Sequence, residues 1–416
     1  MLSALIAVNL IISQRGEGGS VGIVGSRLRW QDNMETNAIY CGDNLEVLRS
    51  FSDNSVDLIY ADPPFFSGRN YGVIWGDNAE LRQFTDRFKG GIDWYIEWMI
   101  KRLQQCHRVL KDTGSMYLHC DWHANAHLRI AMDKIFEENN LRNEIIWFYN
   151  SGSRGKLDFG HRHDTIFRYS KSDNYIFNTD RIREPYSPNI NIPKSKDHYY
   201  NPLGKIIGDV WCISILGQND KKERVGYPTQ KPETLLKRII EASSNKDDIV
   251  LDPFCGCGTA IAVAQQLQRK WIGIDVSPTA CRVMQRRLAE RGYVNAKIIG
   301  MPTTVEELKV LAPFEFQNWV VNKIQGVHNN KKTGDMGIDG WTLEAFNNVR
   351  IPIQVKQSEG VGRNIVDNFE TAIIRAKKDK GFIYAFSFGK GAYEETARAR
   401  TENNIDIQLI EASTLL

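Results

Sequence analysis

The 416-residue chain has no CxxC pair: its seven cysteines, at 41, 106, 120, 212, 255, 257 and 281, fall at irregular intervals. That pattern argues against zinc fingers and a disulfide scaffold and fits a reducing compartment. Long apolar runs are missing too. The opening MLSALIAVNLII is too short to span a bilayer and has no basic segment ahead of it, so it reads neither as a membrane span nor as a signal peptide. Residues 1–37 are expected to be an N-terminal arm, or upstream sequence carried into the reading frame, on a cytoplasmic protein. Internal repeats and low-complexity tracts are absent. The charge excess is small: a net +3 and a pI near 8.3 permit a nucleic-acid partner without demanding one.

From Ala38 the pattern is α/β, and the length calls for more than one domain. AIYCGDNLEVLRSF reads as strand, turn and short helix, and SVDLIYAD as a strand that must stop at the prolines behind it. A helix over IDWYIEWMIKRLQQCHRVL, a strand at GSMYLHCD, a helix at NAHLRIAMDKIFEE and a strand at NEIIWFYN follow. Residues 151–226 then lose periodicity. Between Ser151 and Lys231, 14 Lys and Arg stand against 9 Asp and Glu, a surplus of 5 that exceeds the charge of the whole chain. Regular structure resumes with helix PETLLKRIIEASS, strand DIVLD, a glycine loop, helix TAIAVAQQLQ, strand WIGID and helix TACRVMQRRLAERG. A break at 300–313 precedes a last α/β unit.

Two strand ends carry the chemistry. One finishes in Asp62-Pro63-Pro64-Phe65, and two prolines in succession fix the backbone behind a carboxylate. The other finishes in Asp252 and enters a turn with Phe254, Gly256 and Gly258, where missing side chains let a ligand approach the backbone. The next strand ends in Asp275, an acid placed to bind ribose hydroxyls. A dinucleotide loop is the competing reading, but the third glycine of GxGxxG is missing. Cys255 and Cys257 read as small loop residues, and His119, His123 and His127 as surface or core histidines rather than metal ligands. Trp94 and Trp98 read as core.

DPPF, LDPFCGCGTA and YPTQKPETLLKRII together resemble the β group of amino-directed DNA methyltransferases, over Ala38 to Gly300. The resemblance implies a Rossmann-like, S-adenosyl-L-methionine-dependent methyltransferase with circularly permuted motif order. It implies catalysis by Asp62, Pro63, Pro64 and Phe65, with Phe65 where tyrosine is more usual. Lys231, Asp252, Phe254, Gly256, Gly258 and Asp275 would hold the cofactor. The substrate would be double-stranded DNA, flipped at the target base and contacted by cations between 154 and 224. Adenine N6 is the expected target, with cytosine N4 as alternative and a DNA-binding protein with degenerate catalytic domains as the second.

The last hundred residues resemble the Mrr-like branch of the PD-(D/E)XK nucleases. Asp339 and Gln354 would ligate Mg²⁺ and Lys356 would orient water. Gln317 stands where an upstream acid is expected, with Glu315 nearby. The expected domains are 38–303, with a target-recognition region at 151–226, and a smaller α/β endonuclease-like domain at 304–416. The protein is expected to lie on the nucleoid through DNA, and a homodimer is compatible.

Overall fold

The computed structural model describes residues 34–66, 91–149, 157–186, 200–217 and 230–416, interrupted at 295, 312, 325, 329–336 and 343–349, together with 220 and 223–224. Most of the N-terminal arm, and Arg154, Lys156, Lys194, Lys196, Lys221 and Lys222 of the basic segment, lie outside the described residues.

A nine-stranded sheet organises the first three quarters of the chain, in the order β6-β4-β5-β3-β2-β7-β8-β1-β9. Its strands are β1 (Ala38–Cys41), β2 (Val56–Ala61), β3 (Leu110–Cys120), β4 (Leu141–Phe148), β5 (His163–Ser170), β6 (Val210–Cys212), β7 (Ile249–Asp252), β8 (Lys270–Asp275) and β9 (Lys297–Ile299). Around it pack α1 (Asn44–Arg49), α2 (Gly91–Val109), α3 (Asn125–Phe136), α4 (Glu233–Ser243), α5 (Thr259–Gln266) and α6 (Pro278–Glu290). All six residues of β2 are buried, as a strand covered on both faces requires. Its parallel partners are β3 and β7, with Leu58 opposite Val250 and Ile59 opposite Leu251. The chain order is thus permuted on a doubly wound sheet, as the motif order implies.

One element of the core was illegible in the sequence. HDTIFRYS, assigned above to the irregular segment, is β5, an antiparallel strand between β3 and β4 with seven of its eight residues buried. Its alternation is masked because one face carries Asp164 and Arg168, both buried. Arg168 was counted among the cations for DNA. It instead donates to Asn143 Oδ1 at 3.3 Å and lies over the Phe177 ring at 4.2 Å. Lys171 likewise donates to Leu110 O and Asn54 Oδ1. Part of the positive surplus is therefore spent on internal packing.

After β9 the chain forms α7 (Val305–Lys309), α8 (Pro313–Lys323), β10 (Val327–His328), β11 (Gly340–Trp341), β12 (Pro352–Val355), α9 (Arg363–Arg375), β13 (Lys380–Ala385), α10 (Lys390–Asn403) and β14 (Asp406–Glu411). The five strands form a second sheet in sequence order, parallel over β12-β13-β14. Phe316, Trp319 and Val320 of α8 pack in one buried cluster with Ile353 and Tyr384. Met301 touches both this cluster and the core of the larger sheet. Ser277, which caps α6, donates from Oγ to Glu315 Oε1 on α8 at 2.9 Å, and that bond is buried.

Gly258 has φ +77°, and a Cβ there would lie 2.8 Å from Met284 Cγ and 3.2 Å from Ile261 Cγ1. The glycine is therefore demanded by the fold itself, whether or not a ligand approaches. Gly292 has φ +89° with open space around it. Gly258→Ala should cost about 2–4 kcal/mol, combining left-handed backbone strain with overpacking, and Gly292→Ala only about 1–2 kcal/mol. Equal melting-temperature shifts in calorimetry would refute the packing component.

Candidate active site

The parallel pairing of β2 with β7 brings Asp62 and Asp252 to one end of the sheet. Asp252 is buried, and its Oδ1 accepts the Phe254 N–H at 3.0 Å. Burial raises its carboxyl well above the usual range against that hydrogen bond, and the charges of Asp62 and Asp275 add to the effect. The turn is pinned to β8 by Cys255 N–H to Ile274 O, 2.9 Å, and Gly256 N–H to Asp275 Oδ2, 2.8 Å. Asp275 Oδ1 accepts the Ser277 N–H at 2.9 Å. Burial nevertheless pushes the Asp275 carboxyl up to about 6.

Beneath the turn, Arg102 of α2 is buried. It donates to both oxygens of Asp43, at 2.9 and 2.7 Å, and to Asn44 Oδ1 at 2.7 Å. Its guanidinium lies 3.9 Å from the centre of the Trp98 ring, and Asn44 donates to Pro253 O at 2.7 Å. Trp98 faces Phe254 at 6.0 Å between ring centres. The two tryptophans expected in the core are not there: Trp98 borders the turn, and Trp94 is 36% exposed. Their four-residue spacing puts both on one flank of α2, where Trp98 meets Phe254 of the turn.

Asp62 lies immediately beyond β2, partly exposed, with Pro63 buried behind it. Lys231, expected on the cofactor, sets its ammonium 2.6 Å from Asp62 Oδ2 and 5.1 Å from the centre of the Phe65 ring. The other oxygen, Oδ1, is 3.8 Å from His119 Nδ1. His119 is wholly buried, bonded to the Tyr60 hydroxyl at 2.9 Å and to Asp164 Oδ2 at 3.1 Å. Tyr149 donates to Asp164 Oδ1 at 3.1 Å. Burial pushes the Asp164 carboxyl up, but His119, Lys231 and Tyr149 outweigh it and hold it below its usual value. Burial first, then the charges of Asp62, Asp252 and Asp164, raise the Tyr60 hydroxyl.

This His119 network was missed in the sequence. The reading of His119 as a satisfied core histidine holds, but its acidic partner sits on β5, the strand that escaped detection. His123 bonds Asp121 at 2.7 Å, and His127 is exposed. Cys255 and Cys257 are buried free thiols in the turn, and Cys255 Sγ packs where a Cβ on Gly273 would stand.

In the smaller sheet, Asp339 precedes β11 and is tied to β12: its N–H donates to Ile353 O at 2.8 Å and its Oδ2 accepts the Val355 N–H at 2.6 Å. Gln354 lies in β12 and Lys356 follows its last residue, Val355. Gln354 is buried, and its Oε1 has no hydrogen-bond partner among the described residues. Glu315 is turned toward Ser277, as described. Asp367, Glu370 and Glu395 also converge, but Arg398 bonds to Glu370 and Glu395 and Arg363 pairs with Glu395, so their oxygens are already engaged.

Residues 56–286, more than half of the chain, match the N6/N4-type family model described as DNA methylase. The chain belongs to that family. Residues 307–416 of this DNA methylase match a second model, described as restriction endonuclease. The type II methyltransferase M.BglII of Bacillus subtilis is 34% identical over 256 residues, 58% of this chain and 65% of that protein. The DNA adenine methyltransferase YhdJ of Escherichia coli K12 is 35% identical over 271 residues, 63% of this chain and 86% of that protein. The type II methyltransferase M.HpaI of Haemophilus parainfluenzae is 33% identical, covering 60% and 73%. The chain thus spans just under two thirds of M.BglII. Among the described residues no helix is long and apolar enough to cross a membrane.

The carboxyl of Asp275 moves from 3.8 to about 6 on folding. A raised acid stabilises the fold fully below its unfolded value, and that contribution is lost as pH rises through the folded one. Asp275→Ala should therefore flatten the decline in urea-measured stability between about pH 4 and 7. An unaltered slope would exclude Asp275 as its source.

Proposed function

We propose that this DNA methylase transfers a methyl group from S-adenosyl-L-methionine to the N6 amino group of adenine at a specific site in double-stranded DNA. The observation that carries the reading is the convergence of Asp62-Pro63-Pro64-Phe65 with the Asp252 turn at adjoining strand ends. The adenine assignment is supported by the likeness to YhdJ, which is named an adenine methyltransferase.

The residues at the turn fit the cofactor. Gly256 and Phe254 form a backbone lip, Asp252 borders it, and Asp275, whose two oxygens each accept one backbone N–H, keeps further lone pairs that ribose hydroxyls would use. When bound, the cofactor supplies an electrophilic methyl group. An adenine amino group is a poor nucleophile because its lone pair is delocalised into the ring. Asp62 accepts one N–H and the Pro63 carbonyl the other, which draws the lone pair out of conjugation. Lys231 holds Asp62 Oδ2 in place through their 2.6 Å ion pair, and Phe65 stacks on the base. Residues 151–226, less the core strand β5, serve as the recognition region.

For residues 304–416 we propose a Mg²⁺-dependent nuclease site. Gln354 Oε1, buried without a partner among the described residues, and the Asp339 carboxylate are oxygen donors of the kind Mg²⁺ takes, and the ion would offset charge on a phosphodiester. Lys356 would orient water.

Asp62→Ala should abolish methyl transfer while calorimetric S-adenosyl-L-methionine affinity changes less than about threefold, since Asp62 faces the base; residual methylation above about a hundredth of wild type would refute the role. Nucleoside mass spectrometry of DNA from expressing cells names the product, and N4-methylcytosine would replace the adenine assignment. EDTA or Lys356→Ala should stop plasmid cleavage in Mg²⁺ and leave methylation intact, with Asp62→Ala doing the reverse. No cleavage of methylated or unmethylated plasmid would leave residues 304–416 as a DNA-binding module.

A further inference from the structure

A base drawn out of a duplex leaves its neighbours without a stacking partner, and that loss opposes extrusion. Proteins that unstack DNA often offset it with an apolar side chain inserted between base steps. Such a side chain must stand in water until DNA arrives. Among the described residues, the two most exposed large apolar side chains are Leu157 and Phe159, 96% and 99% exposed and separated only by Asp158. A lone exposed apolar residue needs no explanation. Two on one short stretch, beside a site whose substrate has to be unstacked, do.

The sheet places that stretch at the edge of the site. Strands β2 and β3 are parallel, with Ala61 opposite Leu118, so β3 finishes at Cys120 on the same end as Asp62. Strand β5 runs antiparallel to β3, with Thr165 opposite Cys120, so the residues leading into β5 emerge there too. Neighbouring strands stand about 5 Å apart, which puts the start of β5 about 10 Å from the end of β2. The stretch is also fastened at its root. Arg162 O accepts the Tyr149 N–H at 2.9 Å, and the His161 ring stacks on Trp122 at 4.8 Å between centres with 13° between planes. Trp122 stacks in turn on His123 at 3.8 Å, and His123 Nδ1 is bonded to Asp121 Oδ2 at 2.7 Å. Phe159 is thus two residues from an anchored imidazole while its own ring is uncovered. In the sequence, residues 151–163 hold three Lys and Arg against one acid, a balance that suits a polyanion.

We propose that Phe159, with Leu157 beside it, enters the base stack of double-stranded DNA and fills the space vacated by the extruded target base. This rests on the methyl-transfer reading above. The flat ring of Phe159 restores a stacking surface to the bases on either side of the gap. Stacking of this kind tolerates any sequence, since every base presents a π-face, so the wedge serves extrusion and leaves the choice of site to other contacts. Trp122 is a positioning residue. Through His161 it fixes the root of the stretch, so that the wedge occupies the duplex while the target base occupies the pocket at Asp62.

The test uses the full chain and two duplex oligonucleotides that carry the site located by sequencing the methylated DNA of expressing cells. One duplex is fully paired. The other lacks the base opposite the target, which lowers the cost of extrusion and with it the need for a wedge. In single-turnover methylation, Phe159→Ala should slow the paired duplex at least about tenfold and the gapped one less than about threefold. Phe159→Trp, which keeps a flat ring, should return the paired duplex to within about threefold of wild type, and Trp122→Leu should show the same split between duplexes as Phe159→Ala. The fluorescence of 2-aminopurine at the target position should rise when wild type binds and rise less with Phe159→Ala. Because the side chain is exposed, Phe159→Ala should melt at the wild-type temperature. Equal slowing of both duplexes, or none, overturns the proposal. So does a Phe159→Ala protein that methylates the paired duplex normally but loses self-association in the absence of DNA, since the pair would then be a contact between copies. A wild-type protein that methylates no DNA overturns the methyl-transfer reading itself, and the wedge with it.

Discussion

The register between β2 and β7 is the constraint on which the rest depends. Their pairing joins positions 192 residues apart, and a buried carboxylate helps fix it: Asp57 Oδ2 accepts the Ile249 N–H at 2.8 Å. Lys111 donates to the other oxygen at 2.7 Å, so the charge inside the sheet is compensated. A slip of one residue would exchange the faces of the strand, move Asp62 relative to the Asp252 turn, and leave Asp57 without its backbone donor. Two strands remote in sequence must finish level with one another, and a polar contact specifies this more sharply than apolar contacts alone.

Much of this arrangement was legible because it is written in local chemistry. Prolines stop β2 at Asp62, glycines mark the turn after β7, and apolar periodicity gives the helices on either side. The strand β5 was not legible, since its buried face carries Asp164 and Arg168, whose partners His119 and Asn143 come from other strands. A sequence window sees two charged residues where the fold has two satisfied ones. The same limit misled the reading of Trp94 and Trp98, whose spacing gives a face of α2 but not what that face meets. The positive surplus of the middle segment was real as a count and incomplete as a surface, because Arg168 and Lys171 point inward.

The same distinction between composition and partnership separates two acidic sites in the smaller sheet region. Asp367, Glu370 and Glu395 have the look of a cation site until Arg398 is seen among them. Asp339 and Gln354 are fewer, yet Gln354 holds a buried acceptor with no donor among the described residues. Burial of an unmet polar group is costly, so it is the more informative of the two.

The bond between Ser277 and Glu315 has a consequence for how the molecule can be taken apart. Ser277 also donates its N–H to Asp275, so a single turn joins the acid at the end of β8 to a helix of the smaller sheet region, and Met301 spans both cores. A cut near residue 303 would strip each fragment of a buried polar partner and uncover apolar surface on both sides. The two regions are therefore not modules on a string. Fragments made to isolate one activity would be altered proteins, and silence in such a fragment would say little about the chemistry of the intact chain.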